Sequence, residues 1–399
     1  MLNTIPASLT LYRLYPHNKY SPPFSTKCLL SLVSSENIPV KVTAHYLAKN
    51  ALAQITEQRV LEAAISVPPE AYEEPDLAMR NNFELPPTLV EKLAWPVSAE
   101  YDPVKSQTNL LLAWWLALEF FENTSLKVKQ GYLDQLRKLN LVKSSLLPCL
   151  FGLLNIGVVG EKPFNLVPWH VDVFYLSLYD QSFTYAQNVL AAHIYFKSLK
   201  SIPGLIRIWY SECQDRQLSA SISAYTKAYF SPALISQELE QFRSSAASAS
   251  EALADDTFTL KVAPSVNEIT ASYAVDEQEA FEVAVRLPSE FPLRAAEVKD
   301  VRGVAGMENR RRAWLFGVQN TIQQGLIYDA LVVYKKNVAG HFEGKSECAI
   351  CYSLISVTDR TLPTKPCRTC KNLFHASCLY KWFNTSHTSS CPLCRSDIF

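Results

Sequence analysis

Residues 348–399 read CAICYSLISVTDRTLPTKPCRTCKNLFHASCLYKWFNTSHTSSCPLCRSDIF, and this stretch decides how the end of the chain folds. It holds four pairs of ligand-type residues, the members of each separated by two others: Cys348 and Cys351, Cys367 and Cys370, His375 and Cys378, Cys391 and Cys394. They use seven of the ten cysteines. A pair with this spacing can grip one tetrahedral Zn²⁺ on a tight turn, and two pairs close a four-ligand site. Eight ligands predict two structural Zn²⁺ ions. The 15 residues between Cys351 and Cys367, and the four between Cys370 and His375, suit an interleaved pairing. Cys348, Cys351, His375 and Cys378 then hold one ion; Cys367, Cys370, Cys391 and Cys394 hold the other. Neither site keeps a position for water, so the metals are structural and their binding is also folding energy.

Immediately upstream, apolar residues recur with the period of strands. Thr257–Val262, Glu268–Val275 and Ala280–Leu287 alternate, with Asp276-Glu277 where a hairpin turn would fall. PSEFPL, residues 288–293, breaks the pattern, and Ala296–Val301 offers a fourth strand. A helical pattern then runs from Asn309 to Lys336 through Trp314, Val318, Ile322, Ala330 and Tyr334, interrupted at Gly325. Strands, a proline-rich corner and a covering helix predict a small α+β domain over residues 257–338. NVAGHFEGKSE, residues 337–347, reads as a short bridge to the zinc domain at 345–399.

Before the strands, SSAASASEALADD, Ser244–Asp256, reads as a linker. Residues 107–243 are helical in character. Segments such as TNLLLAWWLALEFFEN carry too many apolar residues for one narrow stripe, so these helices should pack on more than one side. Successive helix pairs suggest a HEAT-like array, without a clean repeat. Trp114, Trp115, Trp169 and Trp209 are expected as core anchors. His170 and His193 have no carboxylate or cysteine cluster near them in sequence and are expected to be packing or surface residues. Residues 1–106 read as an irregular, partly helical region. KNALAQITEQRVLEAAI, Lys49–Ile65, suits a helix, whereas seven prolines between Pro68 and Pro103 suggest a long loop. The acidic run PPEAYEEPD within it reads as a solvated loop.

With 38 basic and 38 acidic residues the formal net charge is zero, so nothing global argues for nucleic acid or a membrane surface. Apolar residues make up 48 %, enough for a large core. Cys28, Cys149 and Cys213 make no disulfide framework, which fits a reducing compartment such as the cytosol. The N-terminal residues do not pattern as a secretory signal. The most apolar run, Leu110–Phe121, is broken by Glu119 and too short to span a bilayer, so no membrane association is expected.

Two zinc-finger classes share this ligand order. PHD fingers, which read histone tails, usually carry an aromatic residue two positions before the seventh ligand; here it is Ser389. RING domains carry an apolar residue between the first two cysteines, a Trp after the third pair and a Pro after the seventh ligand. This chain has Ile350, Trp382 and Pro392 there, so it resembles a RING. Leu379, Trp382 and Phe383 would share one face of a helix starting near Ala376. ECAICYSLI, LPTKPCRTCKNLFHASCLYKWFNTS and SSCPLCRSDIF resemble more closely the RING of the listerin family, the E3 ubiquitin ligases of ribosome-associated quality control. RLPSEFPL with WLFGVQNTIQQGLIYDALVVYKKNVAGHFEG, and CQDRQL with YFSPALISQEL, resemble the segments that precede it there.

The resemblance implies a multidomain fold: a mainly α HEAT-like array, an α+β RWD-like domain and a cross-brace two-zinc RING. It implies a RING-type ubiquitin transferase whose partners are a ubiquitin-charged E2 enzyme, the large ribosomal subunit with a stalled nascent chain, and other quality-control subunits. Ile350, Trp382, Pro392 and Leu393 would form the E2-binding platform, and Arg395 the "linchpin" that donates to E2 and ubiquitin carbonyls. The RWD-like domain would be a docking module, since no cysteine lies between Cys213 and Cys348. Arg310, Arg311 and Arg312 could meet RNA phosphates there, a solvated surface being the plainer expectation. A histone-tail reader and a non-catalytic zinc-stabilised adaptor are the alternatives.

Overall fold

The computed structural model describes residues 26–65, 83–94, 103–122, 124–176, 185–247, 253, 257–275, 279–323, 327–358 and 361–398. The chain divides into two compact units, one up to Tyr225 and one from Thr226 onward. The acidic run at 68–76, Asp276-Glu277 and Gly325 lie outside the described residues.

Among the described residues the first unit is all α. Its helices are α1 (Thr26–Leu32), α2 (Ile38–Ile65), α3 (Pro87–Leu93), α4 (Pro103–Glu119), α5 (Leu126–Lys138), α6 (Leu147–Leu153), α7 (Ala186–Ser201), α8 (Pro203–Glu212) and most of α9 (Arg216–Tyr229). A π turn, Val142–Leu146, leads into α6. The N-terminal part is more regular than its prolines suggested. Helix α2 begins eleven residues before Lys49, and Pro87 and Pro103 open α3 and α4 instead of sitting in loop. Proline lacks the N–H that a first helical residue would leave unpaired anyway, so it starts helices as readily as it ends them.

Helix α4 is the hub. Every side chain from Leu110 to Leu118 is buried, because α2, α3 and α7 pack around it. Trp114 and Trp115 are core residues as expected, but Trp169 and Trp209 are only half-buried. Gly131 lets α5 approach the chain before α3, since a Cβ there would fall within 3.0 Å of the Phe83 carbonyl oxygen. At the end of α4 the buried Glu119 carboxylate accepts from Trp115 Nε1 at 2.8 Å, from Lys49 at 3.0 Å and from Lys197. A carboxylate at a helix C-terminus opposes the helix dipole, and the two lysines compensate. Burial alone would raise its pKa, but the two ammonium groups outweigh burial and hold it at about 2. His45 and His193 flank Trp115 at ring distances of 4.9 and 5.0 Å. His193 is thus a packing residue, as expected, and the convergence of α2, α4 and α7 also sets it beside the charges of Glu119 and Lys197.

The second unit begins at Thr226 and includes α10 (Ser231–Ala247). Helix α10 continues through Ser244–Ala247, which had read as linker, and packs on the first two strands. The strands β1 (Phe258–Ala263), β2 (Glu268–Ala274), β3 (Ala280–Arg286) and β4 (Glu297–Arg302) form an antiparallel sheet in that order. Alternation buries Ile269, Ala271 and Tyr273 on β2, and Phe281, Val283 and Val285 on β3. Two helices cover that face: α11 (Glu308–Gln323) and α12 (Ile327–Phe342). Trp314 meets Phe281 edge-on at 5.5 Å, and Phe342 stacks on Tyr273 at 5.9 Å.

Two of the three arginines opening α11 are engaged within the unit. Arg310 pairs with Glu347 and Arg311 with Asp300 of β4, at 2.8 and 2.9 Å; Arg312 is exposed. The 337–347 "bridge" is helical as far as Phe342. The C-terminal segment has a two-stranded hairpin, β5 (Lys365–Pro366) with β6 (Leu373–Phe374), and helix α13 (Ala376–Ser386). Among the described residues no helix is long and apolar enough to cross a membrane.

Candidate metal centre

Three of the four ligand pairs adopt one backbone turn. In each, the residue after the second cysteine donates its N–H to the carbonyl of the first: Tyr352 to Cys348 at 2.8 Å, Lys371 to Cys367 at 3.0 Å and Arg395 to Cys391 at 3.0 Å. Each first cysteine in turn donates its own N–H to the carbonyl five residues on, at Ser353, Asn372 and Ser396. Closing so tight a loop sends Tyr352, Lys371 and Arg395 into the left-handed region, with φ of 53°, 60° and 59°. A non-glycine residue there costs about 1 kcal/mol, which the two backbone hydrogen bonds of each turn offset. The fourth pair is mounted differently: His375 ends β6 and caps α13, placing Cys378 in its first turn.

These turns bring the donors together in two groups, Cys348, Cys351, His375 and Cys378 in one, Cys367, Cys370, Cys391 and Cys394 in the other. Within each, the ligand atoms all lie within 4.8 Å of one another. In the first group His375 Nδ1 lies 3.3 Å from Cys351 Sγ and 3.7 Å from Cys378 Sγ. Its other nitrogen, Nε2, lies 3.1 Å from the Leu354 carbonyl. A carbonyl can only accept, so Nε2 carries a proton, and Nδ1 is the nitrogen turned towards the sulfurs, the one available to a metal. The thiols also perturb one another. Hydrogen bonds with Cys351 and Cys378 pull Cys348 far below the ordinary thiol range, while those with Cys348 and Cys351 push Cys378 far above it. Backbone N–H groups of Cys370 and Thr369 help lower Cys367 to about 6. Crowded sulfurs that favour partial ionisation, with an imidazole nitrogen turned towards them, fit a soft divalent cation held by four ligands.

Between the two groups lies one small core of Phe374, Leu379 and Ile398, with Ile350 and Phe383 packed against it. Of the residues singled out from sequence, Ile350 packs against this core. Ile350, Trp382 and Pro392 are half-buried, Leu393 is 50 % exposed and Arg395 is exposed. The Trp382 indole N–H donates to the Ser390 carbonyl at 3.0 Å, which fixes the ring against the third cysteine turn. Leu379 is the core residue of α13's apolar face, whereas Trp382 sits at its margin.

Sequence reasoning missed what this segment rests on. Asn337 of α12 accepts the N–H groups of Leu354 and Ile355, both at 2.8 Å, and Glu347 links Arg310 to His341, each at 2.8 Å. Gly340 lies under the Leu354 side chain with no room for a Cβ. The only available signal was Asn337 and Gly340 themselves, a polar and a small residue one turn apart in α12.

A family model described as LTN1 family HEAT repeat region matches residues 23–243, more than half the chain. The chain belongs to the listerin family. Models for a ubiquitin conjugating domain-like fold and a ring finger domain match residues 258–341 and 346–395. The E3 ubiquitin-protein ligase listerin of Schizosaccharomyces pombe is 38 % identical over 288 residues, 72 % of this chain and 18 % of that protein. Its counterpart in Saccharomyces cerevisiae is 32 % identical over 81 % of this chain and 21 % of its own length, and that of Neurospora crassa 31 % over 93 % and 23 %. The chain thus spans about a fifth of the length of the curated listerins it matches. The ring finger match favours the RING expectation over the histone-reader alternative.

Proposed function

We propose that this listerin-family chain is the ligase end of a RING-type E3 ubiquitin transferase. It docks a ubiquitin-charged E2 enzyme and promotes transfer to lysines of nascent chains stalled on the large ribosomal subunit, in the cytosol, together with other quality-control subunits. The observation that carries this reading is the pair of four-ligand groups flanking one small core, with Ile350 packed against it and Trp382, Pro392 and Leu393 left partly exposed in the same segment. Cys348, Cys351, His375 and Cys378 would hold one Zn²⁺, and Cys367, Cys370, Cys391 and Cys394 a second. When bound, the ions supply structural cross-links and no chemistry on ubiquitin.

The chain's own residues then act by positioning. The apolar ring buries against E2 loops, and such small desolvated anchors are typical binding hot spots. The exposed Arg395 guanidinium, with five donors in a fixed fork, would bridge E2 and ubiquitin carbonyls and hold the thioester in an attack-ready pose. The cysteines are committed as ligands, and the ubiquitin conjugating domain-like region contains no cysteine, so neither carries ubiquitin covalently. That region is read as an RWD-type docking module.

Single-turnover discharge of a ubiquitin-charged E2 tests the platform. Ile350→Ala or Trp382→Ala should slow discharge by about thirtyfold, the worth of a hot spot of roughly 2 kcal/mol, with zinc content unchanged. Normal discharge by both variants would refute the assignment. Ribosome docking is tested by co-sedimentation with large subunits. Deleting the α+β domain would also remove Asn337, so charge reversal at exposed Arg302 and Arg312 is the cleaner perturbation. Binding that ignores both reversals and salt would sink the electrostatic part of this reading.

A further inference from the structure

Asn337 lies in α12, outside the residues that match the ring finger model, and is only 1 % exposed. Its Oδ1 collects two backbone N–H groups from the loop that follows the first cysteine turn, those of Leu354 and Ile355. The carbonyl of the same Leu354 accepts the Nε2 proton of His375. One unbroken path of hydrogen bonds therefore runs from α12 to a member of the first four-ligand group. Three further contacts hold the loop in that place. The Leu354 side chain covers Gly340, one turn along α12 from Asn337. Val357 lies 3.5 Å from where a Cβ on Gly317 of α11 would be. Glu347, the residue before Cys348, is held by Arg310 of α11 and His341 of α12. The second group has no such path among the described residues: the hydrogen-bond partners of its four cysteines all lie within residues 367–396.

We infer that Asn337 is a positioning residue for the first metal site, so that the ubiquitin conjugating domain-like region supplies part of the support of the ring finger's own metal. The inference rests on the zinc reading above. Asn337 fixes the Leu354 carbonyl, the carbonyl holds the Nε2 proton, and Nδ1 stays aimed at Cys348, Cys351 and Cys378. Without the Asn337 acceptor, two buried N–H groups lose their partner and the loop must move to find water. The Leu354 carbonyl moves with it, and the imidazole loses what sets its tautomer and ring plane. Partners of this kind are worth about 10- to 100-fold in metal affinity. The two sites should therefore differ in their dependence on α12.

The test uses the full chain loaded with zinc, and separately with Co²⁺, whose absorption distinguishes a three-sulfur, one-nitrogen site from a four-sulfur site. A His375→Cys variant identifies the band of the first site. Asn337→Ala is expected to speed transfer of one of the two zinc ions to a chelator by about 10- to 100-fold, and to alter only the three-sulfur, one-nitrogen cobalt band. Asn337→Asp, which keeps an acceptor oxygen, should restore both readouts towards wild type. Gly340→Ala, which crowds Leu354 without touching Asn337, should reproduce the selective loss and covers the case in which Asn337→Ala does not fold. Equal loss of both ions, or release at the wild-type rate, would overturn the inference while leaving the zinc reading intact. A wild-type chain that holds fewer than two zinc equivalents would overturn the zinc reading itself.

Discussion

The helical unit should be sensitive to mild acid, and the reason lies in two buried imidazoles. Burial lowers His45 to about 3; nearby Glu119 raises it, and Lys49 and Lys197 lower it further. Burial likewise lowers His193 to about 4, against its bond to the Val171 carbonyl and the pull of Glu119 and Asp172. An unfolded histidine titrates near 6.5. Between about pH 6.5 and the folded values the unfolded chain binds more protons, so stability is full above that window and falls as pH drops through it. At pH 5.5 each histidine contributes a loss of about 1.4 kcal/mol, roughly 3 kcal/mol together. Glu119, held at about 2, loses its contribution only between about pH 4.5 and 2, below this range. The assay is hydrogen exchange on the full chain at pH 7.5 and 5.5, corrected for the intrinsic chemical rate and followed in α4 and α7. Protection governed by opening of this unit should fall about a hundredfold. Replacing both histidines by glutamine should flatten the pH slope, whatever it does to absolute stability. Unchanged protection between the two pH values, or a wild-type slope in the double variant, would refute the reasoning.

Two other perturbations separate packing from metal. Gly131→Ala forces a Cβ against the Phe83 backbone carbonyl and should cost about 1–3 kcal/mol. Gly317→Ala meets only the Val357 methyl at ordinary contact distance and should stay within about 0.5 kcal/mol; thermal melts compare the two. Chelation should remove hydrogen-exchange protection from residues 348–398 while leaving α4 and α7 at full protection, because the core of Phe374, Leu379 and Ile398 is too small to hold the cysteine turns. Retained protection in 348–398 without metal would contradict the structural role given to the ions.

Much of this protein is written in local patterns. The spacing of eight ligands predicted which cysteines converge, because a tight turn can present only near neighbours to one ion and the unequal gaps between pairs suit interleaving. Alternation on Glu268–Ala274 and Ala280–Arg286 predicted strands, because the side-chain period of a sheet is local. The errors came where one residue type has two uses. Pro87 and Pro103 opened helices, and the Ser/Ala residues after Ser244 extended one.

Where buried charge goes was not legible, because it depends on elements far apart in the chain. Nothing near Glu119 in sequence announces Lys197 or His45, and nothing near Arg311 announces Asp300. The zinc-ligand segment is the clearest case of this division. By itself the sequence determined the ligands, their pairing and the apolar residues left between them. Only the tertiary structure decided that the loop after the first cysteine turn is held by Asn337 of the preceding domain, because a buried N–H must find an acceptor and this one came from another helix.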